Sequence, residues 1–234
     1  MEITPELTTF SILAFGFVLG LRHATEADHL AAVSTIVSER KSLFSASIIG
    51  GMWGVGHTIS LFVVGLIVIL AKLQISESLE AKLEAVVGVM LVLLGANALR
   101  KLLQSKTIHA HSHDHDGHPH THIHTHVDEK AEASHHRFSP RSVIVGMIHG
   151  LAGSGALMFI ILPLISSPIV AMVYILVFGI GSIGGMMVMS FLIGLPFHFT
   201  ADRFDLLNKG IRLSSGLFSI GLGAYIVYEK LLQT

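Results

Sequence analysis

Arg22-His23-Ala24-Thr25-Glu26-Ala27-Asp28-His29 sets two imidazoles, two carboxylates and a guanidinium side by side in an otherwise apolar stretch. Ionisable groups cost about 2.5–3.5 kcal/mol or more each at the centre of a bilayer, so they pair, face a cavity or hold an ion. Imidazole and carboxylate without thiolate form a donor set for Ni²⁺, Co²⁺, Zn²⁺ or Fe²⁺. The chain has no cysteine, and its nine methionines are dispersed, which argues against soft Cu⁺. On an ideal helix His23, Glu26 and His29 share one face and Asp28 falls outside it. Either Glu26 partners the histidines on an intact helix, or the helix is distorted and Asp28 joins them.

Two further histidines extend the set. His57 follows Trp53-Gly-Val-Gly in the middle of the next apolar segment, and His149 lies in the second half of the chain. Arg22 is read as an auxiliary charge balancing excess carboxylate; the plainer alternative is a buried polar cluster in which Arg22 neutralises Glu26 at i+4 and the histidines only bridge helices. Asn97 and Ser182 are polar residues within apolar segments, for which interhelical hydrogen bonding is the simplest role. His198, beside Pro196 at a segment end, is left out of the site. A cruder signal lies mid-chain: His109, His111, His113, His115, His118, His120, His122, His124 and His126, then His135 and His136. Such a polar run cannot build a core and is expected to be disordered, capturing metal weakly through many imidazoles.

These residues must be positioned by membrane helices. Apolar residues make up 51% and charged residues 13%, about half the soluble norm, and the mean hydropathy is +0.69. The expected class is an all-α polytopic bundle. Six apolar segments, near 8–37, 42–72, 78–104, 140–166, 168–196 and 208–231, each reach the ~20 residues a spanning helix needs. The first two exceed that length, so they tilt, break or protrude, and a break near Gly20 to Asp28 would place irregular backbone beside the polar cluster. The acidic start (Glu2, Glu6) lacks a signal peptide's basic region, so the first segment is read as a retained helix. Nothing basic enough to bind nucleic acid stands out.

Arg40, Lys41, Arg100, Lys101, Lys106, Lys130, Arg137, Arg141, Arg203, Lys209 and Arg212 fall in loops on one side of a six-span arrangement, against Lys72, Lys82 and Lys230 on the other. The positive-inside rule then puts the histidine-rich loop in the cytoplasm and both termini outside the plasma membrane.

The halves resemble one another. A shift of 125 to 128 positions lays Gly54-Val-Gly-His57 on Gly179-Ile-Gly-Ser182, and Gly88 and Gly95 on Gly216 and Gly223. The same shift brings Leu21-Arg22-His23 close to Ile148-His149. Expected units are residues 1–104 and 140–234, each a three-helix repeat, joined by the loop 105–139. Because three is odd, the second copy inserts upside down, as in secondary transporters whose sites lie at the repeat interface. Small-xxx-small pairs such as Gly16/Gly20, Gly50/Gly54, Gly146/Gly150 and Gly181/Gly185 would let helices approach closely.

The histidine, four intervening residues and Asp28-His29, followed by Gly56-His57-Thr58, resemble the nickel/cobalt transporter family. That resemblance implies metal recognition by His23, Asp28, His29 and His57. Two features depart from the usual members: Glu26 stands where aspartate is usual, and six spans replace eight, without the later acidic motifs. The chain is thus similar to the shorter branch containing urease-accessory-type and nickel/cobalt efflux permeases.

The expected function is secondary, ATP-independent transport of Ni²⁺ first and Co²⁺ next, with Zn²⁺ also compatible. A divalent cation gains about 2 × 2.3 kcal/mol per 100 mV on entering a negative-inside cell, which favours uptake over efflux. No Walker A motif is present, leaving a membrane subunit of a separate ATPase as an alternative. An intramembrane metalloenzyme is a distant rival, because no His-Glu-x-x-His occurs. No catalytic cofactor is implied; the partners are the metal ion, the bilayer and, for the loop, a cytoplasmic metallochaperone.

Overall fold

The computed structural model describes residues 5–38, 42–71, 76–104, 109–115, 118–124, 140–151, 165, 167–201 and 204–232. Seven helices occur among them: α1 Pro5–His23, α2 Ala27–Val37, α3 Leu43–Ala71, α4 Glu77–Gln104, α5 Pro140–Leu151, α6 Pro168–Ala201 and α7 Asp205–Leu232. Four of these, α3, α4, α6 and α7, are long and apolar enough to cross a membrane. The protein is a multi-pass helical membrane bundle, and many of its exposed residues are large and apolar, including Phe10, Ile67, Leu93, Ile180 and Leu217. Such a surface suits lipid and is far beyond what a soluble monomer exposes.

The first apolar segment is two helices. α1 ends at His23, and α2 resumes at Ala27 after Glu26 adopts extended backbone (φ −66°, ψ 149°). Thr25 N–H donates to the Arg22 carbonyl at 2.8 Å and Glu26 N–H to the His23 carbonyl at 3.1 Å, tightening the last turn. The Thr25 hydroxyl also donates to the Arg22 carbonyl at 2.6 Å. The break is therefore satisfied locally, as irregular backbone inside a bilayer requires. In the fourth expected segment, α5 covers 140–151, and 152–164 lie outside the described residues.

α6 runs against α1 and α3, α3 also packs on α5, and α4 pairs with α7. Glycines set these crossings. A Cβ at Gly181 would strike the Phe17 carbonyl, and one at Gly56 the Val143 carbonyl. Phe17 shifted by 126 positions is Val143, and Gly56 shifted by 125 is Gly181, so one contact is the other's counterpart. Gly20 against Phe178 and Gly146 against Trp53 are matched by the same two shifts. Gly185 lies against the Leu21 carbonyl, and its counterpart Ser60 donates its hydroxyl to the Met147 carbonyl at 2.8 Å. Gly88 faces Gly223 while Gly95 faces Gly216, so α4 and α7 run antiparallel.

Two apolar cores flank the break. Ala31, Ala32, Val33, Ala46, Trp53, Leu91 and Met186 form one, and Leu19, Leu61, Tyr174, Ile175 and Phe178 the other.

The histidine-rich run departs from the expected disorder. Its backbone pairs as an antiparallel ribbon, β1 His109–His115 with β2 His118–His124. Histidine at every second position has the two-residue period of a strand, and the register matches His109 with His124, His111 with His122, His113 with His120 and His115 with His118. His126, His135 and His136 lie outside the described residues.

Candidate metal site

His23, the last residue of α1, and His29, in the first turn of α2, are carried inward by the break. His57 comes from the middle of α3 and His149 from near the end of α5. All four are buried, His29, His57 and His149 completely. Ring centroids of His29 lie 4.3 Å from His23, 5.3 Å from His57 and 4.2 Å from His149. The close glycine crossings explain how α5 reaches the site: a Cβ at Gly150 would collide with the His57 backbone, and one at Gly146 with that of Trp53.

Glu26 meets one of the histidines and Asp28 two. Glu26 Oε1 lies 3.1 Å from His23 Nδ1, and Asp28 Oδ1 accepts from His29 Nδ1 at 3.0 Å. Asp28 Oδ1 also accepts the His29 backbone N–H at 2.8 Å, and its Oδ2 accepts from His149 Nε2 at 3.0 Å. The two alternatives left open by the helical wheel both hold in part, because the break frees Asp28 while Glu26 keeps its i, i+3 relation to His23. The pairing of Arg22 with Glu26 is replaced: Arg22 is exposed, and among the described residues Glu26 pairs with His23 instead.

The imidazoles carry spare donor atoms. His23 Nε2 and His57 Nε2 lie 3.2 Å apart. Among the described residues, His29 Nε2, His57 Nδ1 and His149 Nδ1 are buried with no hydrogen-bond partner, and His23 Nδ1 has only its contact with Glu26. Buried polar atoms are paired in the great majority of cases, so such a group requires an explanation. A bound cation supplies one: with metal–nitrogen distances of about 2.0–2.1 Å, two ligands of one ion stand about 3.0–3.4 Å apart. His23, His29 and His57 bring donor atoms within 4.8 Å of one another, and so do Asp28, His29 and His149. A carboxylate holding Nδ1 while Nε2 binds the metal is a usual way to orient an imidazole ligand, and His29 presents it, whereas His149 meets Asp28 through Nε2.

Trp53 and Phe178 complete the walls. The Trp53 ring lies 5.1 Å from His29 and 5.3 Å from His149, and Phe178 lies 5.5 Å from His23. Trp53 precedes the His57 motif by one turn, a signal available in the sequence; Phe178 carries no local signal and is identified by the α1–α6 crossing. Ser182, four residues after Phe178, is fully buried with its hydroxyl unpartnered. For the loop histidines 109–124 only the backbone is described.

The family profile of the cytochrome c biogenesis protein transmembrane region matches residues 31–225. The chain belongs to that family. It is 37% identical over 224 residues to the urease accessory protein UreH of Bacillus sp. (strain TB-90), covering 96% of this chain and 93% of the relative. It is also 26% and 25% identical to the Arabidopsis thaliana chloroplast proteins FOR GROWTH AND FERTILITY 1 and 2, matching 91% and 92% of this chain. It spans 57% and 55% of their lengths. No solved structure matches.

Proposed function

We propose that this protein carries a divalent transition metal ion across the plasma membrane by a secondary, ATP-independent mechanism, with Ni²⁺ the favoured cargo and Co²⁺ next. The observation that carries this reading is the convergence of four buried imidazoles from α1, α2, α3 and α5, with ring nitrogens that have no hydrogen-bond partner among the described residues. A purely structural cluster would pair those atoms. The donor set of imidazole and carboxylate fits Ni²⁺, Co²⁺ and Zn²⁺. The urease accessory relative and the resemblance to nickel/cobalt transporters both favour nickel.

The paired glycine contacts support two inverted repeats, 1–104 and 140–234, with the site where they meet. In this arrangement His149 is the counterpart of His23, and Ser182 that of His57. Alternating access exposes the cluster to one face and then the other. The positive-inside distribution supports a topology with the termini outside and the histidine-rich ribbon in the cytoplasm, where the ribbon receives or gathers metal and hands it to a metallochaperone. The membrane potential favours uptake.

The test is reconstitution of the purified protein in vesicles without ATP, following Ni²⁺, Co²⁺ and Zn²⁺ under an imposed potential or pH gradient. Flux above that of empty vesicles, lost in His23→Ala and Asp28→Ala, is expected. No flux, or equal flux in both variants, would sink the reading.

A further inference from the structure

We infer that the cluster contains two overlapping ion stations that share one ligand, His29, and that cargo passes from one to the other through that ring. The inference rests on the transport reading. The mutually close donors fall into two sets, His23, His29, His57 and Asp28, His29, His149, with only His29 in common. The remaining histidines of the two sets are further apart, with 6.0 Å between the ring centroids of His57 and His149.

His29 is built for a shared role. Its Nδ1 faces Asp28 at 3.0 Å, on the side of the second set. Its Nε2 is buried and unpartnered, and its ring lies 4.3 Å from that of His23 in the first set. Asp28 accepts a hydrogen bond from each imidazole of the second set, at 3.0 Å in both cases. An ion entering there displaces those ring protons. Each ring remains neutral by carrying its single proton on the other nitrogen, and His149 Nδ1 is unpartnered in the described state.

A shared ligand answers a physical difficulty. A divalent ion stripped of water in a low-dielectric interior cannot leave one complete shell before the next begins, because desolvation opposes it. The ion leaves one nitrogen of His29 for the other as the ring proton moves to the vacated nitrogen, so the step exchanges donors of one ring and the interval between the two shells is short. Simultaneous occupancy is opposed by repulsion between two divalent ions at this separation, so ions pass singly. The two sets also differ in chemistry: three neutral imidazoles in one, two imidazoles and a carboxylate in the other. An ion must satisfy both in series, which narrows selectivity beyond what either set provides.

The experiment measures Co²⁺ binding to the detergent-purified full chain by equilibrium dialysis and visible absorption, beside flux in vesicles. His29→Ala supplies the background from the histidine-rich run. Expected is that His57→Ala and His149→Ala each retain one Co²⁺ above that background, with different absorption spectra, while flux falls at least tenfold in both. His57→Asn and His149→Asn repeat the comparison if an alanine variant is not monodisperse. Loss of all binding above background in either monodisperse variant would show one indivisible site and overturn the inference, as would unchanged flux in the His149 variants. Wild-type flux with all-or-none binding would leave transport standing and remove the two stations. Split binding without wild-type flux would do the reverse.

Discussion

His23 Nε2 and His57 Nε2 stand 3.2 Å apart although they belong to different helices and lie 34 positions apart in sequence. Both rings are buried, so either one donates its proton to the other or an ion lies between them. The separation suits both arrangements, which makes the pair the natural place to probe metal dependence. Removing either ring is expected to reduce flux at least tenfold in vesicle assays, because an ion then keeps only two of the three imidazole donors. Equal flux in His23→Ala and wild type would show that the pair is only a helix bridge.

Glu26 and Asp28 are expected to matter differently. Glu26 touches one ring, His23, and its side chain is 36% exposed. Asp28 holds two rings from different helices and is less exposed, at 24%. Loss of a carboxylate behind a ligating imidazole typically costs 10–100-fold in metal affinity. Glu26→Gln should therefore fall at the lower end of that range and Asp28→Asn at or beyond the upper end, measured as Co²⁺ affinity by dialysis. The reverse order would place the ion on the Glu26 side of the cluster.

Acidification should weaken metal binding. Imidazole ligates metal only as the neutral base, so protons compete with the ion wherever a ring is charged in the empty site. The sign is fixed: affinity falls as pH falls, and any protons released come from charged rings, because a neutral ring keeps its single proton on its other nitrogen. Calorimetry of Ni²⁺ binding in two buffers of different ionisation enthalpy, repeated at two pH values, measures the number released. More release at the lower pH is expected; equal release at both would show that the imidazoles are not the groups competing with the ion.

The polar cluster was legible because ionisable residues in an apolar segment have few structural explanations. His57 and His149 were legible as single residues, while their meeting was not, since it depends on Gly56, Gly146 and Gly150 bringing α3 and α5 into backbone contact. Helical periodicity set Glu26 and Asp28 against each other. Sequence left open whether the helix was intact or broken, and the turn at Thr25 and Glu26 settles it as broken while leaving Glu26 beside His23. The structural alternative pairing Arg22 with Glu26 is not what is seen: Arg22 is exposed and Glu26 lies against His23, its neighbour on the same helix face. The ribbon in the histidine-rich run had a visible two-residue period, but composition alone argued for disorder, since composition does not encode the order of residues on which strand register depends.

The glycine crossings give a prediction that tests the repeat directly. Gly20 and Gly146 occupy counterpart positions, and a Cβ at either would meet a backbone carbonyl, of Phe178 or Trp53. Backbone cannot move aside as a flexible side chain can, so Gly20→Ala and Gly146→Ala should each destabilise the protein by about 1–3 kcal/mol through overpacking. Gly210 and Gly221 in α7 have nothing within 4 Å of the added atom. There the substitution should be neutral or stabilising by up to about 1 kcal/mol, because alanine is the better helix former. Thermal unfolding in detergent distinguishes the two groups. If Gly20→Ala and Gly146→Ala differ widely, with one tolerated, the two crossings are not equivalent and the inverted repeat loses its principal structural support.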